Sequence, residues 1–137
     1  MSVVLITGAA KRLGRAIALK LGQAGYDVAI HYRSSKPDAH SLASELKALG
    51  RRTALIDAEL SNESEVDAIV PRATAALGTL TALVNSASVF EDDRVDTATR
   101  ASWDKHIATN LRAPLVLVQA FAKQLPADGH GAVVNLI

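Results

Sequence analysis

Short runs of apolar residues alternate along this chain with longer segments in which apolar residues recur every three or four positions. Short apolar runs are typical of buried strands, and the longer pattern is typical of amphipathic helices. This alternation predicts parallel βαβ units. The predicted strands are 3–7, 27–32, 52–57, 80–84 and 131–137, the predicted helices are 12–24, 37–49, a third that reaches 77 and a fourth from about 99 to 125, and 85–98 is predicted as an irregular polar loop.

Two of these helical segments contain an internal proline, and the first has a distinct apolar stripe. Leu13, Ile17 and Leu21 share that stripe in the first segment. Pro71 lies inside the third segment, where it predicts a kink or a break because proline lacks the N–H that a helix needs. Pro114 predicts an interruption of the fourth segment for the same reason.

Composition restricts the classes of function that this chain can have. With 49% apolar residues, its 137 positions suffice for the core of one domain over 1–137. Fifteen Lys and Arg against fourteen Asp and Glu leave a net charge of +1, so we expect neither nucleic acid nor a membrane as partner. The absence of cysteine excludes disulfides and thiolate chemistry. The sequence shows no leader peptide, and none of its apolar runs approaches the ~20 residues that a membrane span needs, so we expect a cytoplasmic protein.

The predicted fifth strand, 131–137, lies at the end of the sequence. A parallel strand is normally buried on both faces and paired on both sides. Here it would form a bare apolar edge, which invites aggregation. We therefore expect the N-terminal portion of a longer domain, truncated before the later strands, or a gene product cut short.

The turn between the first predicted strand and helix is a candidate phosphate site. Gly8 follows an apolar strand, and Gly14 opens the helix. Gly8 can adopt a positive φ, Gly14 allows close packing, and the N–H groups at the start of a helix bind phosphate. Two glycines at this spacing also occur in ordinary turns. Lys11 and Arg12 add two cations, which favours a nucleotide.

The end of the second predicted strand indicates which nucleotide. His31, Tyr32, Arg33 and Ser34 occupy the place where NAD-binding folds usually have an acid that binds the adenosine ribose. An arginine beside hydroxyl groups instead favours a 2′-phosphate, through charge-assisted hydrogen bonds. The alternative is a solvated strand end. We therefore predict NADP(H) rather than NAD(H), with His31 either adding a hydrogen bond or serving the structure.

These residues together resemble the short-chain dehydrogenase/reductase family over the whole chain. The segment Thr7–Gly14 is similar to the cofactor turn of that family, although typical members have a further glycine where Arg12 stands. Arg12, the segment 31–34 and the run Asn85-Ser86-Ala87-Ser88-Val89-Phe90 resemble the pteridine reductase branch. Asn110 falls on the helical active-site asparagine of the family.

The resemblance implies a cofactor site and part of a substrate site. The implied cofactor-binding residues are Gly8, Arg12, Leu13 and Gly14 at the pyrophosphate, Tyr32, Arg33 and Ser34 at the 2′-phosphate with His31 nearby, Glu59 and Leu60 at the adenine, and Asn85, Ala87 and Ser88 at the ribose and nicotinamide. The implied substrate-binding residues are Arg12, Ser88 and Phe90, and Asn110 is the implied supporting catalytic residue. Phe90 would stack on a flat heterocycle, unless it is a loop residue tucked on the core. The family usually has aspartate at the position of Glu59, and a surface amide is the alternative for Asn110.

The resemblance further implies an α/β fold and a reaction. The fold would be a Rossmann-like, doubly wound parallel sheet with strand order 3-2-1-4-5. The protein would be an NADPH-dependent reductase of a C=N bond in a dihydropterin or dihydrofolate-like ring. A tetramer would assemble through the long helix around 103–124.

The proton donor of the family has no counterpart in this sequence. It is a tyrosine in a Tyr-x-x-x-Lys pair after the fifth strand, whereas Tyr26 and Tyr32 both precede that place. General acid catalysis requires a donor within hydrogen-bond reach, so 1–137 alone is expected to be inactive. Two alternatives remain: a short-chain reductase of another carbonyl, such as a 3-oxoacyl thioester, and a non-catalytic NADP(H)-binding sensor. The four histidines lack metal-ligand spacing, so no metal is expected.

Overall fold

Five parallel strands form the centre of the molecule in the computed structural model, which describes all residues 1–137. The strands are β1 (Val3–Ile6), β2 (Asp27–Tyr32), β3 (Thr53–Asp57), β4 (Ala82–Asn85) and β5 (Ala132–Asn135). The helices are α1 (Arg12–Gln23), α2 (Lys36–Ala48), α3 (Glu63–Leu77), α4 (Arg100–Ile107) and α5 (Ala113–Gln124), and a π-helical segment, Ala108–Arg112, joins the last two. Each predicted strand and helix is therefore present, with ends that differ by a few residues.

The strand order is β3-β2-β1-β4-β5, and every neighbouring pair is parallel. The predicted α/β fold and its order 3-2-1-4-5 are confirmed. The chain adds β2 and then β3 on one side of β1, and it adds β4 and then β5 on the other side. The direction in which strands are added therefore reverses between β1 and β4. In open parallel sheets the carboxyl ends of the strands at such a reversal form a crevice that binds ligands.

The two faces of the sheet contribute to two separate apolar clusters. Val3 and Leu5 of β1 lie in one cluster, and Val4 and Ile6 lie in the other, because successive side chains of a strand point to opposite faces. Helices α3 and α5 cover the first cluster, and α1 and α2 cover the second. This two-sided cover accounts for the nearly continuous apolar character of the strands.

Small residues, not the predicted leucine stripe, bring α1 against the sheet. The buried residues of α1 are Gly14, Ala18 and Gly22. Leu13 is 58% exposed, so the prediction of one continuous stripe through this residue is wrong as a description of the packed face. Gly14 and Gly22 have no side chain, so the helix backbone approaches its neighbours closely. An added Cβ at Gly22 would collide with the side chain of Leu46 on α2.

The two helical prolines have different effects. Helix α3 continues through Pro71 without a break. The fourth helical segment changes at Ala108–Arg112 to π-helical bonding, in which the N–H of Ala113 donates to the carbonyl of Ala108. Pro114 follows directly and has no N–H for the carbonyl of Asn110, which is a physical reason for the irregularity there. The predicted interruption near Pro114 is thus present as a local change of helix type.

Strand β5 contrasts with the other four strands. It pairs only with β4, and all four of its residues are exposed.

None of the helices combines the length and the apolar character that crossing a lipid bilayer would require.

Candidate functional site

A cleft of about 1290 Å³ lies where the strands end, between the turn after β1 and the helical run that includes the π-helical segment. The chain brings together here most of the residues that the sequence predicted for the site. Those lining the cleft are Gly8, Arg12, Leu13, Gly14, His31, Arg33, Ser34, Glu59, Leu60, Asn85, Ala87, Ser88 and Asn110. This volume is somewhat above the range of about 300–1,000 Å³ that is typical of ligand and cofactor pockets.

Two predicted site residues do not line the cleft. Tyr32 is 8% exposed and packs in the apolar cluster beneath α1 and α2. Adjacent strand residues face opposite ways, so Tyr32 and its neighbours cannot all turn toward one ligand. Phe90 is 85% exposed, so it neither tucks onto the core nor contacts the cleft.

The glycine turn after β1 requires both of its glycines. Gly8 has a φ of 61°, and a Cβ placed on it would lie 3.0 Å from the Cα of Ala87. A Cβ on Gly14 would collide with the carbonyl oxygen of Gly8. The first turn of α1 is therefore packed directly on the turn that precedes it.

The N-terminus of α1 presents unpaired donors to the cleft. No hydrogen bond within the chain satisfies the N–H groups of Arg12, Leu13 and Gly14, and the N–H of Arg15 is the first to bond, to Lys11 at 3.2 Å. Lys11 provides no side-chain cap, and the first turn contains no acidic residue. Three free N–H groups at the positive end of a helix suit a phosphate group.

Arg12 has an unusual backbone conformation. Its φ of 52° makes it the only residue other than glycine with a positive φ in the chain. This conformation explains why a glycine suits the position, and the arginine side chain costs about 1–2 kcal/mol of strain there. Strained residues of this kind cluster at functional sites.

Arg33 and Glu59 also line the cleft and form an ion pair, with Nη1 and Oε2 3.7 Å apart. The Oε1 of Glu59 accepts hydrogen bonds from the N–H and the hydroxyl of Ser61, at 3.2 and 2.9 Å. Partial burial would raise the pKa of Glu59, but these bonds and the charge of Arg33 outweigh it and lower the pKa. The carboxylate is therefore ionised beside the guanidinium, whose side chain stays 62% exposed.

His31 uses both of its ring nitrogens inside the protein. Nδ1 accepts the N–H of Gly8 at 3.0 Å, and Nε2 lies 2.9 Å from the carbonyl oxygen of Ala58. Since Nδ1 is an acceptor, the neutral ring carries its proton on Nε2 and donates it to Ala58. The residue is 2% exposed, and this burial lowers its pKa. His31 thus contacts the glycine turn, and neither nitrogen is free for a ligand.

Thr7, the first residue of the segment that resembles the cofactor turn, supports the site in a way that the sequence did not reveal. It is 2% exposed, and its hydroxyl oxygen accepts the N–H groups of Ser86 and Ala87, both at 3.0 Å. These bonds join the glycine turn to the start of the loop after β4. A threonine at the end of a strand is a common residue type, so only the spatial neighbours identify its role.

Asn85 contributes an unsatisfied polar atom beside the cleft. Its Nδ2 donates to Oδ1 of Asn135 on β5 at 2.8 Å. The Oδ1 of Asn85 is buried and has no hydrogen-bond partner. Buried polar atoms are rarely left unpaired, so this oxygen is a natural acceptor for a group that enters the cleft.

The segment 86–98, which we name the β4 loop, is held against α4 and the π-helical segment by side chains. Asn110 makes two bonds to Val89, accepting its N–H and donating to its carbonyl, both at 2.8 Å. Nε2 of His106 accepts the N–H of Glu91 at 3.0 Å, and Lys105 forms an ion pair with the side chain of Glu91. Asn110 therefore positions the β4 loop, and it is not an unengaged surface amide.

Comparison with known proteins places the chain in a family. The short chain dehydrogenase family model matches residues 2–137. A 3-oxoacyl-[acyl-carrier-protein] reductase, FabG, from Staphylococcus aureus is 35% identical over 132 residues, which are 96% of this chain and 54% of the relative. The chain therefore spans about half the length of the curated relatives it matches.

Solved structures agree with this placement. The crystal structure of FolM Alternative dihydrofolate reductase 1 from Brucella canis, complexed with NADP, is 36% identical with a TM-score of 0.95, over 99% of this chain and 55% of that chain. A short chain dehydrogenase from Burkholderia cenocepacia in complex with NADP is 35% identical with a TM-score of 0.92, over 98% and 54%. On the family match and this similarity of sequence and fold, the chain belongs to the short chain dehydrogenase family.

Proposed function

We propose that this chain is the NADP(H)-binding portion of an NADPH-dependent oxidoreductase that reduces a pteridine-type ring. One observation carries the proposal. The free N–H groups at the start of α1 and the exposed guanidinium of Arg33 line the same cleft, so they can bind two separate phosphate groups of one molecule. The structures similar to this chain from Brucella canis and Burkholderia cenocepacia were both solved with NADP.

The residues of the cleft fit such a dinucleotide in charge and in hydrogen bonding. We assign the pyrophosphate to the turn from Gly8 to Gly14 and the 2′-phosphate to Arg33 and Ser34. Glu59 and Leu60 would border the adenine, and Asn85 would accept a hydrogen bond through its unpaired Oδ1. The side chain of Arg33 is 62% exposed, so its guanidinium is accessible to the 2′-phosphate of the ligand.

The bound cofactor would supply the hydride, and the chain would position the ring that receives it. Arg12 and Ser88 line the cleft from the glycine turn and from the β4 loop, so both can donate hydrogen bonds to a flat polar heterocycle. Phe90 is exposed close to Ser88 in sequence, and we propose that it covers the substrate when the loop closes. Asn110 supports this wall through Val89.

The specific support for a pteridine comes from Arg12 and from one relative. Arginine occupies a strained backbone position where glycine would be easier to accommodate, and such strain is typical of a functional residue. The FolM protein, an alternative dihydrofolate reductase by name, is similar to 99% of this chain, and the match covers 55% of the FolM chain. A 3-oxoacyl thioester is the second candidate, because the FabG reductase is also 35% identical.

Turnover by the full-length gene product separates these candidates. We expect NADPH oxidation with a dihydropterin or dihydrofolate and little with a 3-oxoacyl thioester. Activity on the thioester alone would replace the pteridine assignment with the second candidate. Tight binding of NADPH without turnover of either substrate would favour a non-catalytic sensor.

A variant pair sharpens the substrate assignment. Arg12→Ala should reduce kcat/KM for the pterin by about tenfold, the effect of losing one hydrogen bond from a charged group. Lys20→Ala is the matched control, because Lys20 is an exposed cation of α1 that does not line the cleft. Equal effects of the two changes would contradict a role for Arg12 in substrate binding.

We also propose a tetramer, which sedimentation of the full-length protein would test.

A further inference from the structure

We propose that His31 is a positioning residue that holds the phosphate-binding turn in shape, and that this turn forms only while the imidazole is neutral. The inference rests on the proposed NADP(H) site and goes beyond it. It concerns a side chain that is placed to hold the protein backbone and not the cofactor. The geometry that carries it is the pair of bonds made by the ring, to Gly8 and to Ala58.

His31 holds the turn at two consecutive residues. Its ring accepts the N–H of Gly8 at 3.0 Å, and its backbone carbonyl accepts the N–H of Ala9 at 2.9 Å. The carbonyl bond is available to any residue at this position, whereas the bond to Gly8 requires a side-chain acceptor. His31 therefore provides the contact that determines where Gly8 lies.

Gly8 transmits this position to the phosphate donors. The carbonyl oxygen of Gly8 lies so close to Gly14 that a Cβ at position 14 would collide with it. A shift of Gly8 must accordingly move the first turn of α1, where the N–H groups of Arg12, Leu13 and Gly14 are unpaired. Binding sites tolerate displacements of only about 0.5 Å before affinity falls.

Protonation would remove the acceptor. An imidazolium carries hydrogens on both nitrogens, so Nδ1–H would face the N–H of Gly8 and the two donors would repel. The ring is 2% exposed, which leaves no room for water to screen the added charge. Burial lowers the pKa of His31, so the neutral form predominates at neutral pH.

The charged groups around the ring oppose one another. The carboxylates of Glu59 and Asp57, at the end of β3, favour the protonated form, and the guanidinium of Arg72 on α3 disfavours it. Lys11 and Arg12 of the glycine turn and Arg33 beyond β2 are exposed cations whose fields solvent screens. Desolvation is the largest influence, so the ring loses its proton more readily than an exposed histidine does.

The sign of the pH effect follows from this direction. A histidine whose folded pKa lies below its ordinary value of about 6.5 contributes stability that is fully present above that value. This stability declines as pH falls below about 6.5 toward the folded pKa, because the unfolded chain then binds more protons. Cofactor affinity should decline at a lower pH than stability does, because the turn loses its acceptor only when pH falls through the folded pKa of His31.

The test measures the dissociation constants of NADPH and NADH in the full-length gene product, from about pH 8 down to the lowest pH at which the wild type stays folded. His31→Gln keeps an acceptor and a donor on a side chain that does not titrate, and His31→Leu removes both. His40→Gln is the matched control, because His40 is an exposed histidine of α2 outside the cleft. NADH is included because the 2′-phosphate of NADPH itself titrates near pH 6.

We expect the wild type and His40→Gln to lose affinity for both nucleotides at the acidic end, by about tenfold beyond any loss in His31→Gln. His31→Leu should bind about tenfold more weakly even at pH 8. Identical pH profiles for the wild type and His31→Gln, or wild-type affinity in His31→Leu, would overturn the proposal.

A second measurement needs no cofactor and covers the case in which a variant fails to fold. Nitrogen NMR of the wild type should show Nδ1 of His31 as an unprotonated acceptor, and the Gly8 amide should exchange slowly until His31 protonates. A protonated Nδ1 at neutral pH, or a Gly8 amide that exchanges freely there, would refute the proposal. If no nucleotide binds at any pH while these NMR signatures hold, the proposed function fails and the role of His31 stands.

Discussion

The two walls of the cleft are built in different ways. On the nucleotide side, the turn after β1 is held by two residues that are each 2% exposed: Thr7 bonds to the first residues of the β4 loop, and His31 of β2 bonds to Gly8. On the opposite side, the β4 loop is held mainly by Asn110 and His106, which lie on helical segments at the surface. The first wall is therefore part of the core, whereas the second can move without unfolding the sheet.

The histidines illustrate the difference. His31 and His106 each accept a backbone N–H through one ring nitrogen and lie close to a backbone carbonyl through the other. Only His31 is fully buried, whereas His106 lies at the surface. Changes to the nucleotide wall should thus affect cofactor binding and stability together, while changes to the contacts that hold the β4 loop from Val89 onward should mainly affect substrate handling.

The largest expected effect comes from Gly14→Ala. The added methyl group would meet the carbonyl oxygen of Gly8, which belongs to the backbone and cannot turn away. Overpacking should lower the free energy of unfolding by about 1–3 kcal/mol and weaken NADPH binding by about 100-fold. Thermal unfolding and nucleotide titration measure both effects. Gly22→Ala is the control, since its collision is with the end of the flexible Leu46 side chain, and an equal loss of NADPH affinity there would contradict the prediction.

Arg33→Asp tests the charge of the nucleotide wall. Loss of the guanidinium removes the partner of the 2′-phosphate and leaves an acid that can bind a ribose hydroxyl. The ratio of NADPH to NADH affinity should fall by about 10–100-fold. Lys36→Asp makes the same charge change on an exposed residue outside the cleft and should leave the ratio unchanged. An unchanged ratio in Arg33→Asp would argue against the assignment.

Asn110→Ala tests the opposite wall. Both bonds to Val89 are lost, so the β4 loop should become mobile and KM for the substrate should rise by about 3–10-fold. NADPH affinity should change by less than about twofold, since the nucleotide wall is held elsewhere. Gln119→Ala, on the exposed surface of α5, is the control for the helix itself. A larger effect on NADPH than on substrate would remove the distinction between the walls.

The smallest effect concerns the backbone of Arg12. Arg12→Gly and Arg12→Ala both lose the guanidinium, but only glycine relieves the positive φ. The glycine variant should be more stable than the alanine variant by about 1 kcal/mol in chemical unfolding. Both variants should lose pterin affinity to the same extent. Equal stabilities of the two variants would mean that the backbone at position 12 carries no strain.

Local signals in the chain were sufficient for much of the fold. The apolar runs and glycines located all five strands. The break at Pro71 did not occur, and the exposure of Leu13 was not foreseen. Both depend on packing with residues distant in sequence, which helical periodicity does not record.

The candidate site likewise contains some residues that the sequence located and others whose placement only the packing of the fold decided. Gly8 and Gly14 were recognisable because their backbone conformation and close approach exclude other residues. Tyr32 was placed beside the 2′-phosphate with Arg33, yet it is buried in the core. Successive side chains of a strand point to opposite faces, so only one of two neighbours reaches the cleft. In a strand that is buried on both faces, no alternation of polar and apolar residues shows which one it is.

The sequence by itself determined the order of elements, the glycine turn and the absence of an acid at the end of β2, because each depends on a few adjacent residues. Only the tertiary structure decided that His31 bonds to Gly8, 23 positions away, and that Asn110 bonds to Val89. A hydrogen bond requires two groups within about 3 Å at a suitable angle. Which distant groups meet that condition is decided by how the helices pack on the sheet.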